Sequence, residues 1–370
     1  MKKKGRILVI GITPPPYGGQ AMMTERLVKA KFQDLDIYHV RMAFSNTMAS
    51  VGKFSMAKIF HMFHVVWQAL IFRIRFNTKV LYYMPGGSNF TPVARDIFIL
   101  TLLRPLFNKT VFHFRAAGVS EVVKNKSGML GNLAKFAYRK PDLAIHLSAR
   151  NPKDGEFFKA KRNTVIPNGL EDEGENYVPI SRPSNDIVRV LYVGVIQETK
   201  GVLVLLEAVK ILADAGLRVN VDLLGEYNSA EFEIICRTYC RDSGIENLIN
   251  FAGVQKGKYK WRYFSQADIF CFPSFFESES FGNVVVEAMM FELPVIATRW
   301  RGIPDIVRHD QTGILVDIKN PLALADNLAT LIGDTTLRIQ MGKAGRKVYE
   351  DHYKIDRFLK SMEIELKSMI

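Results

Sequence analysis

The chain has 370 residues, 48% of them hydrophobic, 11% aromatic and 24% charged, a composition that excludes a disordered chain. Three cysteines, Cys236, Cys240 and Cys271, are too few for a disulfide scaffold and read as reduced, buried thiols. The net charge of +13 is unevenly spread: residues 1–170 carry 27 Lys and Arg against 8 Asp and Glu, a net +19, and residues 171–370 carry 23 against 29, a net −6.

That asymmetry predicts two domains with different partners, the basic front one suited to something anionic: nucleic acid, a phosphorylated substrate or an acidic membrane face. In chain order, RILVIGI (6–12) predicts a first strand. It follows Lys2, Lys3, Lys4 and Arg6, but its apolar run is too short for a signal peptide and stops at three prolines. A glycine loop, YGGQ (17–20), leads into a helix over 21–32, a strand over 36–40 and a long helix over 58–76. His61, His64, Gln68, Arg73 and Arg75 interrupt that long helix, so it falls short of a membrane span. Strands follow at 79–84, 110–115 and 143–148, with a helix over 93–107.

Residues 163–186, rich in Pro, Asn, Gly and acids, read as the interdomain region. The rhythm then restarts with strands at 188–194, 219–225, 248–253, 268–274, 294–298 and 313–317, with helices between them and after residue 321. Alternating strands and helices predict an α/β chain of two Rossmann-like, doubly wound domains. The expected bounds are 1–175, 176–350 and a last segment, 351–370, packing back on the first domain.

The strongest motif is PSFFESESFGNVVVEAMMFELPVIAT (273–298), in which Glu279 and Glu287 stand eight apart around Phe281-Gly282. Gly282 permits a turn into a helix starting near Asn283, whose free N–H groups make an anion site. One turn in, Glu287 is placed to accept hydrogen bonds from a ribose diol, and Glu279 to reach hydroxyls of a sugar beyond the phosphates. Asp34-Leu35-Asp36 spells a D-x-D but falls between a helix and a strand and reads as turn acids; no other cluster has metal-ligand spacing, so no metal is expected.

This pattern resembles the retaining glycosyltransferases of family 4 type, which have the GT-B fold. The resemblance spans most of the chain and is densest over 165–317. It includes Val165-Ile166-Pro167-Asn168-Gly169, Gly194, Lys200-Gly201, the two glutamates, Gly302-Ile303-Pro304-Asp305 and the turn from Asp310 to Gly313. It implies two domains facing a cleft and a nucleotide-sugar donor, expected to be a UDP-sugar, with no further cofactor. Lys200 would bind the diphosphate, Gly18 and Gly19 would approach the phosphates, and His113 would contact the donor sugar. Val254 would contact the base through backbone groups. Phe281, Gly282, Asn283 and Glu287 would complete the nucleotide-sugar site, and Glu279, Lys200 and His113 the catalytic set. One departure stands out: the family has an arginine just after Gly194, and this chain has Val195. Arg299, Arg301 and Arg115 are the candidate substitutes.

The function expected is retaining transfer of a sugar to a hydroxyl of a glycan or polyprenyl-linked acceptor in surface polysaccharide assembly. The front domain's charge, and the aromatic helix 58–76, point to an anionic membrane surface and a cytoplasmic, peripheral location. A nucleotide-sugar epimerase or phosphorylase of the same fold, a catalytically inactive scaffold, and a basic nucleic-acid-binding protein are the alternatives. No nucleic-acid recognition motif supports the last, so no nucleic-acid partner is expected.

Overall fold

The computed structural model describes residues 4–15, 17–42, 44, 56–177 and 187–370. Lys2, Lys3 and residues 178–186 of the expected interdomain region lie outside the described residues. The chain divides into two units: Met1–Asn168 with Asp356–Ile370, and Gly169–Ile355. The chain thus passes from one unit to the other twice, first seven residues ahead of the expected bound at 175.

Among the described residues of the first unit, six strands form one parallel sheet: β1 (Gly5–Gly11), β2 (Leu35–Arg41), β3 (Val80–Tyr83), β4 (Lys109–Phe114), β5 (Leu143–His146) and β6 (Asn163–Val165). Their order is β2-β1-β3-β4-β5-β6. The central strands are apolar on both sides because helices cover both faces of such a sheet. On one face Leu8, Leu81, Tyr83 and Phe112 pack against Val65, Ala69, Leu100 and Ala134. These last belong to three helices, Met56–Arg75, Phe90–Leu103 and Gly128–Tyr138. The closing segment is held to this unit by Lys367 pairing with Asp34 and Arg162 with Glu365.

The second unit repeats the plan with β7 (Val188–Val193), β8 (Val219–Leu224), β9 (Ile249–Gly253), β10 (Ile269–Phe272), β11 (Val295–Thr298) and β12 (Gly313–Val316), all parallel. The order is β12-β11-β10-β7-β8-β9, so the sheet grows outward from β7 and then reverses at β10. That is the dinucleotide-fold order, in which ligands bind beyond the carboxyl ends of the strands where the direction of winding reverses. In the first unit the reversal lies between β1 and β3. The two sheets are the two Rossmann-like domains of the GT-B fold.

Reading residues 163–186 as interdomain needs one correction. Asn163–Val165 is an edge strand of the first sheet, registered against Ala144–His146. Three residues between Arg162 and Ile166 carry no periodic signal, and pairing with β5 alone makes them a strand.

Candidate functional site

In the second unit the expected site residues follow β7 and β10, the strands on either side of the reversal. After β10 the chain runs through Pro273 and Ser274 to Glu279; after β7 it runs through Gly194 to Lys200. The Lys200 ammonium lies 2.6 Å from Glu279 Oε2, and the Ser274 hydroxyl donates to the same oxygen at 3.0 Å. Only 16% of the lysine side chain and 10% of the glutamate's are exposed, so the pair is largely shielded from water. The Phe276 ring, 4.7 Å from the ammonium, adds a cation–π contact.

Local backbone chemistry holds this cluster in place. Gly201 has φ +75°, and a Cβ there would meet the Pro273 carbonyl oxygen at 2.1 Å, so only glycine lets Lys200 pass so close to the β10 loop. Phe275 N–H donates to the Thr199 carbonyl, Trp300 Nε1–H to the Phe276 carbonyl, and the Thr298 hydroxyl to the Ser274 carbonyl. Gly282, at φ +79°, caps the helix Asn283–Met290, which has no side-chain cap at that end. Its first N–H groups and the Lys200 ammonium are two positive features of this strand-end region.

Glu287, the fifth residue of that helix, accepts from Lys260 at 2.6 Å through Oε2. Lys260 comes from the helix Lys258–Gln266. Both sequence-derived glutamates thus carry a lysine partner, and the second lysine is one that sequence reasoning missed. Lys256, Lys258 and Lys260 alternate along the chain, and nothing in that spacing marks one of them. Val254 is exposed just after Gly253, which has φ +66°. The Phe281 side chain is buried, edge-on to Tyr353.

In the first unit, Gly18 and Gly19 stand at the start of the helix Gly19–Lys29, just beyond β1 and hence at that sheet's own reversal. Gly18 is extended, and a Cβ there would meet nothing within 4 Å, so open space rather than a turn requirement surrounds it. His113, near the end of β4, is fully buried. Burial first, then the charge of Arg115 and of His146, holds its pKa well below the usual imidazole value, so the ring is neutral. Its Nδ1 contacts the Tyr82 hydroxyl, and its Nε2 has no hydrogen-bond partner among the described residues. Tyr82 is another residue that sequence reasoning missed; a tyrosine inside an apolar strand carries no distinguishing signal.

The Val195 gap is not filled by Arg115. That side chain is buried in the first unit, donating to Asn168 Oδ1 at 3.0 Å and lying over the Phe358 ring. Arg301 rests over the Trp300 ring, and Arg299 is exposed. Val195 itself offers its carbonyl to the Tyr192 hydroxyl. Asp34 pairs with Lys367 and Asp36 faces Lys4, as turn acids would. The cysteines are all buried, with the Cys236 and Cys240 thiols pushed up to about 12 and about 11 by burial. They stay protonated and unreactive.

Fold and site together define a chain of GT-B fold whose second Rossmann-like unit carries a lysine and a helix start at its strand ends, with two acids beside them. Residues 175–348 match the family model described as glycosyl transferases group 1. The chain is 37% identical over 157 residues to a D-inositol 3-phosphate glycosyltransferase of Corynebacterium glutamicum (strain R), covering 42% of this chain and 37% of the relative. It is 29% identical over 284 residues to the amylovoran biosynthesis glycosyltransferase AmsK of Erwinia amylovora, covering 72% and 67%. Anabaena HepE, solved in complex with UDP, has the same fold, with a TM-score of 0.72 over 98% of this chain and 100% of that one at 16% identity. The first curated relative is matched over well under half its length.

Proposed function

We propose that this chain is a retaining, metal-independent hexosyltransferase. It moves a sugar from a UDP-sugar to a hydroxyl of a glycan or polyprenyl-linked acceptor during surface polysaccharide assembly. The observation that carries the reading is the Lys200–Ser274–Glu279 cluster beside the Gly282 helix start, at the reversal of a sheet within the region matching the group 1 glycosyl transferase model. The relative named for amylovoran biosynthesis supports polysaccharide assembly, and the UDP complex of HepE supports a uridine donor.

The roles follow from the chemistry. A departing diphosphate needs positive charge that is already in place, which Lys200 and the N–H groups at Asn283 supply without reorganisation. Glu287 accepts from the ribose hydroxyls, with Lys260 fixing its carboxylate. Glu279 orients the sugar ring through its hydroxyls, held at the right height by Lys200 and Ser274. The first unit takes the acceptor at the inner face of the cytoplasmic membrane. Because the lysine and the helix end neutralise the leaving group, no divalent ion is required.

The test is a panel of nucleotide sugars with product analysis by NMR, in chelator and with added magnesium. Retained anomeric configuration and equal rates in both are expected; turnover that stops in chelator and returns with metal contradicts the metal-independent reading. Glu279→Gln and Lys200→Ala should each slow turnover about 30- to 1000-fold, the cost of about 2–4 kcal/mol for losing one preorganised contact.

A further inference from the structure

The helix Met56–Arg75 is apolar on two opposite sides. Val65 and Ala69 face the sheet. On the other side Met56, Phe60, Phe63, Trp67, Ile71 and Ile74 are all exposed, with Phe60 at 70%, Trp67 at 62% and Ile74 at 80%. Steps of four, three, four, four and three residues keep these six on one stripe about 27 Å long. A surface helix normally turns polar residues to water, and this one turns its aromatics there.

The stripe does not stand alone. Phe90–Leu103 and Gly128–Tyr138 cover the same face of the sheet, and Phe63 packs edge-on to Phe98 of the first of these. Gly128–Tyr138 in turn exposes Met129, Leu133 and Phe136 at its own helical spacing. Besides Arg95, which is largely buried and paired with Asp96, the three helices carry Lys58, Arg73, Arg75 and Lys135, and Arg139 and Lys140 follow directly. Their only acid is Asp96, which is fully buried and hydrogen-bonded to Tyr83 and Tyr138. The outer surface of this helix layer is therefore aromatic and basic, with no exposed carboxylate.

We propose that this layer is a docking surface for an anionic lipid bilayer, with Met56–Arg75 lying in the plane of the headgroups and its stripe inserted. Basic side chains around an apolar stripe match a surface that is anionic at the headgroups and apolar below them. A second copy of the chain is a poor match, because a two-fold contact through this face would set the basic rims against each other. Among the described residues no helix is long and apolar enough to cross a membrane, so the helix lies on the bilayer. The inference deepens the reading of a membrane-presented acceptor. Its test reads lipid binding, so it fails or succeeds separately from sugar transfer.

The experiment is co-sedimentation of the full chain with vesicles of phosphatidylcholine alone, or with about 30% phosphatidylglycerol, alongside Trp67 fluorescence. Wild-type protein should bind the anionic vesicles, with a blue-shifted emission that Trp67→Phe abolishes. Binding should fall about tenfold when salt rises from about 50 to about 500 mM. Phe60→Ser with Trp67→Ser, and separately Lys135→Glu with Arg139→Glu, should each weaken binding about tenfold or more while leaving the melting temperature within a few degrees. Failure to bind anionic vesicles, or binding that both double variants leave intact, overturns the proposal. So does a stripe-dependent dimer seen by light scattering in the absence of lipid.

Discussion

Asp154 shows how a buried charge in the first unit ties the loop after β4 to the rest of the sheet. Its carboxylate accepts from the N–H groups of Gly118 and Ser120, at 3.2 and 2.7 Å. Burial outweighs those bonds and pushes its pKa up to about 6 from 3.8. The folded state therefore holds a proton that the unfolded state releases between about pH 4 and 6, so this group's contribution to stability falls as pH rises through that window. The shift corresponds to about 3 kcal/mol. His146 nearby, with its pKa lowered to about 4, acts in the opposite sense, so the informative quantity is the difference between wild type and Asp154→Asn. Denaturant titrations from pH 4 to 7 should show the wild type losing stability relative to Asp154→Asn up to pH 6, and no further divergence above it. Parallel curves across the range would contradict the assignment. At this scale Glu279, Glu287 and Lys200 were legible in the sequence, because a motif with glycine and proline landmarks marks them. Lys260 and Tyr82 were not, since their contacts arise only where separate segments meet, and Ser274, five residues before Glu279 in the same loop, stood in the motif without a role.

Among the elements, the loops that leave β7 and β10 matter most, because they bring Lys200 beside Glu279. Gly201 is the test position. Its φ is +75°, and a Cβ at that position would lie 2.1 Å from the Pro273 oxygen, so alanine has no room unless one loop moves. Gly201→Ala should cost about 2 kcal/mol or more of stability and should also weaken donor binding, because Lys200 moves with the loop. Gly216→Ala is the control: its φ is also positive, at +77°, but its Cβ would meet nothing within 4 Å, so it should lose stability through backbone strain alone and keep donor binding. Equal donor binding in both variants would argue against a positioning role for Gly201. Most strands were legible in advance because parallel strands covered on both faces are continuous apolar runs. The edge strand Asn163–Val165 was not. The aromatic face of the long helix was read in advance as a candidate membrane-facing surface, and the structure exposes Phe60, Phe63 and Trp67 on it.

For the whole molecule, the charge count already separated two units, and the structure divides the chain at Asn168 and again at Ile355. Unit 2 holds the paired acids, the lysines and the capped helix end, and its proposed ligand is the nucleotide. Unit 1 holds the basic excess and the aromatic helix layer, and its proposed partners are the acceptor and the membrane. What counting and motifs did not supply was the pairing inside each site, or the fate of Arg115, which its own unit buries beside Asn168. The central claim is that the strand ends of unit 2 bind a nucleoside diphosphate through Glu287 and Lys200. Titration calorimetry of UDP into the full chain, in parallel with Glu287→Ala and Lys200→Ala, tests it most directly. Binding by the wild type is expected, weakened about tenfold or more in each variant, with all three proteins equally folded. UDP binding that both variants retain at wild-type affinity would contradict it.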